Sequence, residues 1–310
     1  MLTSFFKGYK AEQFVVLFLL LIAVFVLYGV ENQMHFNEWV FLINPIIGLV
    51  VFSALILAFW FIIQKNKLLP TGGIKYLVFV SLTCFFPNII CDYKLLTSAL
   101  ISTLILRKTL SLYSKKDVIK KLLDTSLLLL ILAYIEIWSL LLLIFLYIAL
   151  LIYGHKNFRY YIIPLYVFSI VSFSLFAFQK ILKFDFFNEL YSRFSLPNFI
   201  DFSNFHKWLI VIASLFLIGF TIVLFKFFKD FSNRKRQHSY VLLVYFFIGV
   251  FQVALSIEKG ILNYVLLLVP LTYLICVLLL RINNKKILEL ILWLFLSTPI
   301  IYHSVKLLVD

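Results

Sequence analysis

The sequence predicts an all-α, polytopic integral membrane helix bundle with about eleven transmembrane spans, its N-terminus inside and its C-terminus outside. Three observations predict it. Hydrophobic residues make up 64% of the 310-residue chain and charged residues only 14%, against roughly half and about a quarter in a soluble domain. Apolar runs near the ~20 residues that a span requires recur along the whole length. Basic residues alternate between successive connections, as the positive-inside rule demands. A water-soluble globule of this composition would expose far too much apolar surface. Soluble enzymes, nucleic-acid binders and secreted modules are therefore excluded as readings.

The spans are placed in order at 13–30, 41–63, 74–91, 94–112, 118–135, 137–154, 160–181, 208–228, 240–256, 261–281 and 287–306. The first is not a cleaved signal. Lys7 and Lys10 precede it, but Phe14 to Val30 is long for a signal core, and Glu31-Asn32-Gln33-Met34 offers no small-residue cleavage pattern. Pro70, Gly72 and Gly73 mark the turn before the third span. Cys91-Asp92-Tyr93-Lys94 reads as a tight hairpin. The apolar stretch Leu122 to Tyr153 is too long for one perpendicular helix and short for two. It is split at Glu136, because a carboxylate is costly at the bilayer centre but reaches water at a hairpin tip. The long loop 183–207 carries Phe187, Leu190, Tyr191 and Phe194 at helical spacing, and Pro197 would end the helix. It reads either as an amphipathic helix over 184–195 lying on the outer interface or as an aromatic belt segment.

The net charge of +14 follows from the topology. The inner segments hold 21 of the 28 basic residues, and 9 of the 14 acidic residues fall outside. Merging two spans would invert every later loop and spoil this alternation. Cys84, Cys91 and Cys276 lie in or beside apolar stretches with no metal or disulfide spacing, and read as small apolar fillers. No P-loop, GxGxxG, GxSxG or HExxH occurs, so no cofactor is implied. Paired broken helices and a ladder of intramembrane charges are also missing from the sequence, which disfavours a transporter.

The candidate chemistry lies on the outer face. Glu31 and Glu38 are seven apart in the first outer loop, so a helix there would put both on one side. Asp92 and Glu136 sit at the next two outer tips. Short loops fix carboxylates, and a fixed carboxylate can act as a general base. Polar loop tips alone would also explain them. His35, His206 and His303 fall outside or near that face, but no two share ligand spacing, so no metal is assigned. His155 and His238 join basic inner loops and read as solvated. The inner clusters Arg107-Lys108, Lys115-Lys116, Lys120-Lys121 and Arg234-Lys235-Arg236 could bind lipid phosphates or simply set topology.

Phe85-Phe86-Pro87, the hairpin at Asp92, Leu104 to Leu110, the basic loop, Tyr134-Ile135-Glu136-Ile137-Trp138-Ser139 and Tyr160 to Pro164 form an order of short paired spans. Over residues 13–181 this order resembles the early membrane module of GT-C glycosyltransferases, which transfer a sugar from a polyprenyl-phosphate carrier outside the cytoplasm. The resemblance implies a catalytic acid in the first outer loop, best matched by Glu38 and next by Glu31, with Asp92 matching an acidic position of the second. No large outer domain follows, and the C-terminal helices 208–306 lie beyond the resemblance. The start Met1-Leu2-Thr3-Ser4-Phe5-Phe6, Lys65-Asn66-Lys67-Leu68, Phe86-Pro87 and Trp138-Ser139 are similar to a family of multi-pass inner-membrane proteins of Bacteroidota, which brings no activity with it.

The functional expectation is a one-domain protein, residues 1–310, of the bacterial inner membrane, acting on a polyprenyl-phosphate-linked sugar at the outer face. Glu38 would be the base, with Glu31 or Asp92 orienting the acceptor. Arg107, Lys108 and Arg193 are candidates for holding the lipid carrier. The rival reading is a non-enzymatic subunit or assembly factor of an envelope complex. A transporter is third.

Overall fold

The computed structural model describes residues 2–6, 8, 11–31, 39–70, 72–85, 88–182, 219–255 and 264–309. These are helical, with no strand among them. In chain order the helices are α1 (Leu2–Phe5), α2 (Ala11–Glu31), α3 (Trp39–Asn66), α4 (Ile74–Cys84), α5 (Asn88–Cys91), α6 (Tyr93–Ser111), α7 (Val118–Ile135), α8 (Leu142–Ile152), α9 (Arg159–Leu182), α10 (Asn233–Leu255), α11 (Leu268–Leu279) and α12 (Lys285–Val309). Residues 219–229 are helical too.

Five helical stretches among the described residues are long and apolar enough to cross a membrane: Glu12–Val30, Asn44–Asn66, Tyr93–Ser114, Arg159–Ala177 and Lys285–Val305. Three shorter apolar stretches, Ile74–Cys84, Ile137–Ile152 and Tyr264–Leu279, accompany them. Their outward faces are apolar. On and beside α9, Phe158 is 74% and Phe173 75% exposed, with Leu165, Tyr166 and Phe176 also bare. Such a surface suits hydrocarbon and not water.

The helix ends follow local chemistry. Asn66 closes α3 by donating its side-chain amide to Ile62 O at 3.0 Å. Lys67 then turns left-handed at φ 51°. Its N–H reaches Gln64 O and that of Leu68 reaches Ile63 O, the paired bonds of a Schellman stop. α8 ends the same way, with Gly154 at φ 67°, Gly154 N donating to Leu151 O and His155 N to Leu150 O. The expected break at Glu136 is present: its φ of −137° and ψ of 102° end α7, and a 3-10 turn, Ile137–Leu141, leads into α8. Glu136 itself is buried, only 7% exposed, where a tip projecting into water was expected.

The chain forms two compact units, Met1–Leu104 with Leu262–Asp310, and Ile105–Ile261. In the first, α4 packs on α2, α11 and α12, while α3 packs on α5. Its aromatic centre is Phe79 stacked on Phe59 at 4.9 Å and on Phe52 at 6.0 Å, with Tyr76 edge-on to Phe59. In the second, α7 packs on α9 and α8 on α10, and Phe145 meets Tyr245 edge-on at 5.0 Å. Buried hydroxyls are satisfied within their own helices. Thr83, Thr103, Thr109, Thr125, Ser126 and Thr272 each donate to the carbonyl four residues back, which hides a polar group without a partner helix. Cys84 and Cys276 are buried free thiols.

Candidate functional site

The residues that the sequence singled out are placed unevenly. Glu38, Arg193, His35, His206 and the 184–195 segment lie outside the described residues. Glu31 is the last residue of α2. Asp92 stands between α5 and α6, and one of its carboxylate oxygens accepts hydrogen bonds from Lys94 N and Leu95 N, both at 3.1 Å. Its carbonyl accepts from Leu96 N. This is an N-cap, which satisfies amide donors that the first turn of α6 would otherwise leave bare. The same bonds fix the carboxylate in space, as a positioning role would need.

The depth of that tip can be read along α3. A Cβ built on Gly48 would touch the Ile90 carbonyl, so α5 lies against α3 at Gly48. Gly48 is nine residues beyond the start of α3 at Trp39, about 13 Å at 1.5 Å per residue. Asp92→Ala should cost about 1 kcal/mol of stability. Asp92→Asn, which retains a capping oxygen, should melt as wild type does. Equal melting of the Ala variant and wild type in detergent would contradict the cap.

Arg107 and Lys108 lie in the last turns of α6. Lys108 Nζ is 2.5 Å from Asp124 on α7, so one proposed carrier-binding cation is already paired. Lys121 folds back to donate to Ser111 O at 2.8 Å and Ser114 Oγ at 2.7 Å. It caps the end of α6, where a cation is favoured.

The second unit holds a buried cluster that the sequence reading missed. His155 and His238 were expected to be solvated, but both are buried, His238 to 1% exposure. His238 Nδ1 is 2.9 Å from the Tyr153 hydroxyl. The Tyr113 ring lies 5.0 Å from the imidazole and 5.8 Å from the Tyr153 ring. The Arg234 guanidinium lies over Tyr113 at 5.5 Å, a cation–π geometry. The other ring nitrogen, Nε2, is buried with no hydrogen-bond partner among the described residues. Burial, and next the positive Arg234, push His238 down to about 4. It is neutral at physiological pH.

His155 Nε2 meets Leu112 O at 3.1 Å, and Tyr161 donates its hydroxyl to His155 O at 3.0 Å. Burial lowers the His155 imidazole. The Leu112 bond opposes this, and Lys115 and Lys121 add to it. Basic loop composition suggested solvated histidines because sequence shows neighbours in the chain, not neighbours in space. The available signal was the aromatic company: Tyr153 two residues before His155, and Tyr160 and Tyr161 soon after.

His303 is buried in α12 beside the Tyr28 ring. Among the described residues no group of three or more His, Cys, Asp or Glu side chains could hold a metal ion. The chain matches no protein-family model, no curated protein and no solved structure.

Proposed function

We propose that this is a multi-pass protein of the bacterial inner membrane, with eleven spans and a cytoplasmic N-terminus, that handles a polyprenyl-phosphate-linked sugar at its outer face. The alternation of basic loops supports the topology. The chemical part is carried by Asp92. Its carboxylate is held by two backbone donors at a hairpin tip, on the face that the charge pattern assigns to the outside together with Glu31 and Glu38. In this reading Glu38 takes the proton from an acceptor hydroxyl. Glu31 and Asp92 orient that acceptor.

The test is sugar transfer from a polyprenyl-phosphate donor by the protein in proteoliposomes. Glu38→Gln should lower the rate at least 100-fold, the scale of a general base, with insertion and melting unchanged. Asp92→Asn keeps the cap and removes the charge, so it reports on chemistry apart from folding. Full activity in Glu38→Gln, Glu31→Gln and Asp92→Asn would overturn the enzyme reading. A non-enzymatic envelope subunit, with partners retained in mild detergent, would then take its place.

A further inference from the structure

The first unit contains a cavity of about 570 Å³, inside the roughly 300–1,000 Å³ range of small-molecule sites. Three parts of the chain build it: the N-terminal residues Ser4 and Phe6, the turn and helix start from Leu69 to Lys75, and the end of α11 with the start of α12. The first wall is pinned. Gly73 N donates to Phe6 O at 2.7 Å, and the Gln13 side-chain amide donates to Phe5 O. A Cβ at Gly73 would come within 2.3 Å of Gln13 Oε1, so the Gln13 side chain lies directly against this turn.

The lining is amphiphilic and one-signed. Leu69, Ile74, Leu279 and Leu288 supply apolar wall, while Lys75 and Lys285 supply positive charge, and no carboxylate lines the cavity among the described residues. Lys75 is 4% exposed. Its Nζ donates to Pro70 O at 3.4 Å and lies 5.5 Å from the Tyr76 ring. Lys285 opens the 25-residue α12, whose N-terminal end is itself partly positive. Apolar walls beneath two cations suit a molecule with an anionic head and a hydrocarbon tail.

We propose that this cavity binds an anionic membrane phospholipid, its phosphate between Lys75 and Lys285 and its acyl chain along the leucine walls. The proposed topology puts the site in the cytoplasmic leaflet. The proposal rests on the membrane reading and not on the outer-face chemistry, so failure of the Glu38 experiment leaves it standing.

The test uses the full chain purified in a neutral detergent and titrated with phosphatidylglycerol, phosphatidylethanolamine or inorganic phosphate. Thermal unfolding and native mass spectrometry are the readouts. Phosphatidylglycerol should raise the melting temperature and remain bound, and the other two should do neither. Lys285→Gln should weaken phosphatidylglycerol binding about fivefold, the scale of one basic residue at an anionic lipid. Lys286→Gln removes the same charge from the exposed neighbour that does not line the cavity, and should leave binding unchanged. Lys285 is exposed, so its variant is expected to fold even where Lys75→Met does not. Equal stabilisation by both lipids, equal loss in the two Lys→Gln variants, or an equal effect of inorganic phosphate would each overturn the proposal.

Discussion

Gly48→Ala is expected to unfold or aggregate the protein where Gly219→Ala leaves it intact. The Cβ added at Gly48 would stand 1.8 Å from Ile90 O and 2.9 Å from Ile90 C. Both atoms are backbone, so no side-chain rotation relieves the clash. α5 would have to retreat from α3. It cannot do so alone, because Ile89 and Ile90 are buried and Asp92 ties the next residues to the first turn of α6. In membrane bundles small residues are what let helices approach this closely. Overpacking a tight interior costs about 1–3 kcal/mol, and a backbone clash belongs at the upper end or beyond. Gly219 lies in a helix with nothing within 4 Å of its added Cβ, so alanine there should be neutral or stabilising by up to about 1 kcal/mol. Melting and size-exclusion profiles in detergent compare the two. Coincident curves would refute the close α3–α5 contact.

Some of this architecture was legible in the sequence and some was not, for identifiable reasons. The split at Glu136 was found because a charge interrupts an apolar stretch too long for one helix, and the structure ends α7 there. The fate of the carboxylate was not legible. The sequence offered water as its only solvent, whereas the fold buries the residue. The end of α3 was signalled by its turn residues and by the lysines around Asn66. Lys108 was visible as a cation near a helix end, but its pairing with Asp124 sixteen residues on depends on how α6 and α7 pack. Asp92 was read as a hairpin tip, and its local capping role, which needs only the following three residues, could have been read as well. His155 and His238 were misread because local composition cannot reveal burial produced by residues distant in the chain.

That misreading leads to the second large effect, which concerns pH. His238 is neutral and enclosed by Tyr153, Tyr113 and the positive Arg234. Its folded value, about 4, lies below the ordinary 6.5. The unfolded chain therefore takes up a proton that the folded chain refuses. The sign follows from linkage: this stabilisation is complete above pH 6.5 and is lost as pH falls from 6.5 towards 4. At about 1.4 kcal/mol per unit, the loss approaches roughly 3 kcal/mol. That is a large fraction of a typical folding free energy of about 5–15 kcal/mol. Wild-type protein in detergent should melt progressively lower between pH 6.5 and 4.5. His238→Phe, which cannot be protonated, should show a shallower slope across the same window, even though it loses the Tyr153 hydrogen bond and starts from a lower melting point. Tyr153→Phe leaves Nδ1 without its hydrogen-bond partner and should be destabilised at pH 7.5 by about 1 kcal/mol or more, while keeping the acid sensitivity that His238→Phe lacks. Parallel pH slopes for wild type and His238→Phe would show that the imidazole is not the group that senses acid. Carboxylates elsewhere in the chain would then have to carry the effect.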